Sequence, residues 1–125
     1  MKKGVVRAVL ALVIVAASPW AVASGWGALL RDSPAVDFND EDMRLFLAAL
    51  RQTLDAPGPA QTVSWRNDAS GAGGTLLVLG ETRLEPFSEC RRTRITLHSR
   101  RRQGVPAVFT ACRDDSGRWL LAAAG

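Results

Sequence analysis

CRRTRITLHSRRRQGVPAVFTACR, Cys90 to Arg113, is the stretch on which the architecture turns. Side chains of a strand alternate between faces, so a strand over Cys90–His98 puts Ile95 and Leu97 on one side with Arg91 and Thr93. Arg92, Arg94, Thr96 and His98 fall on the other. A second strand over Val105–Arg113 completes a hairpin if Cys90 lies opposite Cys112. That register sets Thr93 against Phe109, Ile95 against Ala107 and Leu97 against Val105, so apolar side chains meet one another. It also centres the turn on Arg101, which makes Arg100, Arg101 and Arg102 a solvated tip.

Outward from this hairpin the chain reads as one helix followed by short strands. Asn39 is a good N-cap, and Asp40, Glu41 and Asp42 place negative charge in a first helical turn, where the helix dipole favours it. Apolar residues recur at Met43, Phe46, Leu47, Leu50 and Leu54, an amphipathic period that ends before Pro57-Gly58. Beyond Pro59, Val63 and Trp65 alternate with polar neighbours, NDASGAGG forms a glycine-rich hairpin turn, and Thr75 to Leu79 is a short apolar strand. Glu81 to Glu89 contains Pro86 and no clean period, and reads as a loop. Asp114-Asp115-Ser116-Gly117 is a turn before a last strand, Arg118 to Ala123. Strands at such short intervals pair antiparallel. The class is α+β: one N-terminal amphipathic helix on a β-meander of about five strands.

The ends bound where such a chain works. Lys2, Lys3 and Arg7 precede an apolar run from Ala8 to Ala17, then Ser18-Pro19 and the small residues Ala21-Val22-Ala23. This is the layout of a secretory signal peptide over residues 1–23, the alternative being a retained membrane anchor. Ser24 to Val36, rich in Gly, Ala and Pro, reads as a flexible lead-in, so the expected organisation is leader 1–23, lead-in 24–37 and a single domain 38–123. Removing Lys2, Lys3 and Arg7 from the 16 basic residues leaves 13 against 12 acidic ones, a net of +1. The charge that remains is uneven: Asp32 to Asp68 holds seven carboxylates and three arginines, Glu81 to Arg118 nine arginines and five carboxylates. With export to a periplasmic or extracellular compartment, the two cysteines, Cys90 and Cys112, are expected as one disulfide.

Function is constrained mainly by exclusion. Nucleic-acid recognition calls for basic charge interleaved with stacking aromatics, and Cys90 to Arg102 has no aromatic besides His98. Arg92, Arg94, Arg100, Arg101 and Arg102 are instead candidates for an anionic lipid, lipopolysaccharide or an acidic envelope protein, because guanidinium groups bind phosphate and carboxylate in bidentate fashion. The alternative for the tip is a solubilising, edge-protecting turn. Catalysis finds little support: His98 is the only histidine, Ser99 points to the opposite strand face, and bridged cysteines offer no thiolate. One histidine with two bridged cysteines makes no standard zinc site, Asp40-Glu41-Asp42 is explained by the helix start, and no cofactor is implied. Trp65, Phe109 and Trp119 are either core or the lining of an aromatic groove.

The ordered set Trp65, Ser70-Gly71 with Gly74, Cys90-Arg91, Ala111-Cys112-Arg113, Asp115, Gly117 and Trp119 resembles the C-terminal domain of the rickettsial surface-antigen family of bacterial envelope proteins. The resemblance spans about Asp40 to Leu121. It implies a non-catalytic, antigen-like domain of a Gram-negative cell envelope, periplasmic or outer-membrane associated. Two departures stand out: no cysteine at the cleavage site for lipid attachment, and no glycine zipper. They favour a soluble periplasmic or secreted form, with no membrane span after leader removal and binding or structural work as the role. A periplasmic adaptor or inhibitor of another protein is the alternative, and a hydrolase stands behind both.

Overall fold

The computed structural model describes residues 30–56 and 61–124. The segment read as a signal peptide, its cleavage site and the first part of the lead-in lie outside the described residues. A 3₁₀ turn, Pro34–Asp37, leads into helix α1, Asp40–Asp55, and then into strands β1 Val63–Asn67, β2 Ala72–Leu84, β3 Phe87–His98, β4 Ala107–Arg113 and β5 Trp119–Ala124. The strands form one antiparallel sheet in chain order, β1-β2-β3-β4-β5. Among the described residues no helix is long and apolar enough to cross a membrane.

Helix α1 forms where the amphipathic period places it. It buries Phe46, Ala49, Leu50, Thr53 and Leu54, spaced three and four apart, against β1 and β2. Full burial of residues such as Phe46, Leu50 and Leu54 stabilises by roughly 2 kcal/mol each. From the sheet come Trp65, Leu76, Ile95, Leu97 and Ala111. The Trp65 ring meets Phe38 edge-on at 5.2 Å between centroids and lies 6.1 Å from Phe46.

The start of the helix is tied to the sheet by a buried polar knot. Asn39 Oδ1 accepts from the Asp42 backbone N–H at 2.8 Å, and Asp42 Oδ2 accepts from the Asn39 N–H at 3.0 Å, a reciprocal capping box. The second carboxylate oxygen, Oδ1, accepts from Asn67 Nδ2 at 2.7 Å, at the end of β1, and from Ser70 Oγ at 2.6 Å, in the turn that follows. Asp42 is 1% exposed. Burial by itself would raise its pKa, but the hydrogen bonds from Ser70, the Asn39 backbone and Asn67 outweigh it and hold the carboxyl below its ordinary value. Asp42 is thus a joint between helix and turn as well as helix-start charge.

The central hairpin has the expected register for most of its length. Cys90 pairs with Cys112, Thr93 with Phe109 and Ile95 with Ala107, and Cys90 and Cys112 form a disulfide. Near the tip it departs. Leu97 does not pair with Val105: the Gly104 N–H donates to the Leu97 carbonyl, His98 bridges to Gln103, and β4 begins only at Ala107. Pro106 has no N–H to give the ladder, and Val105 is 81% exposed. The turn is tight, closed by Ser99 N–H to Arg102 carbonyl, and so centres between Arg100 and Arg101.

Three further segments differ from their sequence reading. Glu81 to Glu89 is not a loop: β2 runs to Leu84, β3 starts at Phe87, and the cis Glu85–Pro86 bond lies in the turn between them. Register shifts between Val78 and Gly80 and between Thr82 and Leu84 break the period-two pattern, which is why no strand was legible there. From Leu30 onward the segment read as a lead-in is packed, with Leu30, Pro34 and Ala35 buried and Ser33 capping the 3₁₀ turn. Of the glycine-rich connection, only Gly71 lies in the turn, at φ 78°, whereas Gly73 and Gly74 are in β2.

Gly74 sits in the strand because nothing larger fits. A Cβ there would stand 2.5 Å from the Thr96 carbonyl oxygen, 2.9 Å from Leu97 Cδ2 and 3.1 Å from Trp65 Nε1. The backbone oxygen cannot step aside. Gly74→Ala is therefore expected to cost about 1–3 kcal/mol, read as a lowered urea midpoint with an unchanged slope. A midpoint within error of the parent would contradict the close packing of Trp65 on β2.

Candidate anion-binding face

Alternation along β3 separates the arginines of Cys90-Arg91-Arg92 into two environments. Arg91 faces the helix side, where its side chain is 14% exposed and its Nη1 donates to the Ala56 carbonyl at 2.9 Å, just past the end of α1. Arg113 lies 2.6 Å from Asp55 and stacks over Trp119, with its Cζ 4.5 Å from the ring centroid; the Arg91 Cζ is 5.7 Å from the same ring. Trp119 Nε1 donates to Asp55 Oδ1 at 2.8 Å. Two guanidinium groups thus sit at the negative end of a helix that has no basic residue in its own last turn. Their carboxylate partners, Asp55 and Glu89, leave this cluster largely neutralised.

The opposite face of the sheet is different. Strand pairing puts Leu77, Arg94 and Val108 in one row across it, Gly80, Arg92 and Thr110 in the next, and Thr82, Cys90, Cys112 and Leu120 in a third. Towards the tip follow Ser64, Thr75 and Thr96, then Arg66, Gly73 and His98. None of these rows holds a carboxylate. Arg66 is paired with Asp68 of the turn at 2.6 Å, but Arg92 and Arg94 are exposed and make no ion pair among the described residues. Helix α1 packs on the other side of the sheet and leaves Arg92 and Arg94 exposed on this one, where Cys90, Cys112 and Thr110 are nevertheless buried.

The tip arginines are only partly available. Arg102 Nη1 lies 2.7 Å from Asp37, whose other oxygen accepts from Ser99 Oγ at 2.6 Å, so the turn is pinned to the end of the 3₁₀ turn. Arg100 leans over Gly71 of the β1–β2 turn, and Arg101 is exposed. Because Ser99 Oγ is engaged with Asp37 while His98 lies on the face of Arg92 and Arg94, the two do not form a nucleophile and base. Among the described residues no three His, Cys, Asp or Glu side chains group in a way that could hold a metal ion.

The three aromatic residues separate as well. Trp65 is core at 8% exposure. Phe109 is half-buried and, with Leu97, Val105 and Pro34, lines an open groove of about 890 Å³ beside the 3₁₀ turn. Trp119 is the half-buried platform for Arg113. Sequence reasoning missed the apolar residues among which Arg92 and Arg94 stand, Leu77, Val108 and Leu120, because the face of each depends on register and on the bulges. It also missed the Arg91–Arg113–Trp119–Asp55 cluster, although the spacing of Cys90-Arg91 and Cys112-Arg113 was a usable signal. Compared with known proteins, the chain matches no protein-family model, no curated protein and no solved structure.

Proposed function

We propose that this protein is a non-catalytic exported envelope domain, of the kind the rickettsial surface-antigen resemblance implies, and that it binds an anionic lipid or lipopolysaccharide surface through the arginine-bearing face of its sheet. One observation carries the reading: Arg92 and Arg94 are exposed, without carboxylate partners, on a face that also presents half-buried Leu77, Val108 and Leu120. Guanidinium groups take phosphate oxygens in bidentate fashion, and the aliphatic side chains between them suit the boundary between headgroup and acyl chain.

The test is co-sedimentation with phosphatidylglycerol-containing and pure phosphatidylcholine vesicles at low and high salt. Each arginine near an anionic surface contributes about 1 kcal/mol, so Arg92→Ser with Arg94→Ser should weaken retention roughly 30-fold. Arg100→Ser, Arg101→Ser and Arg102→Ser together should weaken it less, since Arg102 already serves Asp37. Retention of the Arg92/Arg94 variant at the parental level overturns the assignment. Salt-sensitive capture of an acidic envelope protein, with no vesicle binding, would replace it with the adaptor reading.

A further inference from the structure

We propose that β5 is a self-association edge, through which two copies of this chain pair antiparallel into one continuous sheet. The two edges of the sheet are built differently. β1 carries Arg66, ion-paired to Asp68, and lies under α1. β5, Trp119–Ala124, reads WLLAAA: no charge, no proline and no glycine, and among the described residues it has a ladder to β4 on one side only. Charge and proline are among the features that otherwise blunt natural edges; a bulge is another, and β5 has one register shift. Its one irregularity falls between the partners of Thr110 and Ala111, so Trp119, Leu120 and Leu121 stay in regular pairing.

The helix explains why a second copy fits there. α1 packs on β1 and β2, so the helix side of the sheet thins out towards β4 and β5, leaving Phe109, Trp119 and Leu121 half-buried. A second β5 alongside would bring the same apolar side chains next to these. An isologous interface must be complementary to itself, and a strand uncharged along its whole length meets that condition. Direction follows from what lies at its start. Arg118 precedes β5 and Asp114 and Asp115 stand in the turn, so antiparallel pairing sets the two charged ends about 20 Å apart, whereas parallel pairing would stack them. The two-fold axis then stands across the sheet and turns both arginine-bearing faces to the same side. The pairing rests on the edge alone and stands whatever that face binds.

Sedimentation velocity of the protein purified from a periplasmic fraction, over about a hundredfold range of concentration, should show monomer passing to dimer. Amide exchange by mass spectrometry should show β5 gaining protection as concentration rises, with β1 unchanged. Leu120→Lys puts a charge on an edge strand that has none, on the face away from the helix, and should weaken self-association by about tenfold or more while leaving the thermal midpoint close to the parent. A parent protein that stays monomeric throughout, protection that rises on β1 instead, or a folded lysine variant that dimerises as well as the parent would each overturn the proposal. Binding of a foreign extended peptide to a monomeric parent would also count against it.

Discussion

Asp42→Ala is expected to destabilise the protein by about 3–5 kcal/mol, a large share of what a single small domain has to lose. The substitution removes the acceptor of three donors at once: the Asn39 N–H, Asn67 Nδ2 and Ser70 Oγ. Each is then left without its partner in a site that is 1% exposed at Asp42. It also unfastens the N-terminus of α1 from the β1–β2 turn, so the loss should be cooperative and not confined to helix fraying. Urea unfolding followed by tryptophan fluorescence measures it. A loss under about 1 kcal/mol would show that the knot is surplus to the packing of Phe46 and Trp65. The carboxyl gives the effect a pH signature. Its pKa in the folded protein lies below the ordinary 3.8, so its stabilisation is complete above that value and is lost as pH falls through the lower, folded value. Glu41 and Asp114 are shifted in the same direction. The difference between parent and Asp42→Asn isolates Asp42: it should be constant near neutral pH and shrink only below about pH 4.

Replacing Cys90 and Cys112 together with alanine should cost about 3 kcal/mol, because the bridge closes a 22-residue loop in the unfolded chain. For a domain of this size that is roughly a 10–20 °C fall in the thermal midpoint, measured by calorimetry. The bridge also joins residues directly opposite each other on β3 and β4. A slip of one residue would turn Ile95 and Leu97 outward and Arg92 and Arg94 into the core, so register and the exposed arginine face are held by the same bond. Mass spectrometry of the protein purified without reductant supplies the other check. Two free thiols there, or a midpoint lowered by only a degree or two, would contradict this role.

Particular residues show where sequence reasoning reached and where it stopped. The helix was legible because Asn39 and the apolar series to Leu54 are local signals that tertiary packing did not contradict. The central hairpin was legible because its alternating pattern and its cysteines agree on one register. Glu81 to Glu89 was not, since two register shifts in β2 destroy the alternation that identifies a strand. Val105 misled because an apolar residue beside Pro106 looks like strand, yet proline interrupts the ladder. Asp42 could be recognised as a helix-start acid, but not as the acceptor of Asn67 and Ser70, 25 and 28 residues away.

By itself the sequence determined the class of the domain, its helix, the pairing of Cys90 with Cys112 and the division of Arg91 to His98 into two faces, because periodicity and capping act over a few residues. Only the tertiary structure decided which arginines are free. Arg91, Arg102 and Arg113 are engaged by Ala56, Asp37 and Asp55, whereas Arg92 and Arg94 are left on a face without acids. Partners that lie 35 to 65 residues away are brought there by the packing of the helix and the 3₁₀ turn on the sheet, and no local pattern encodes that distance.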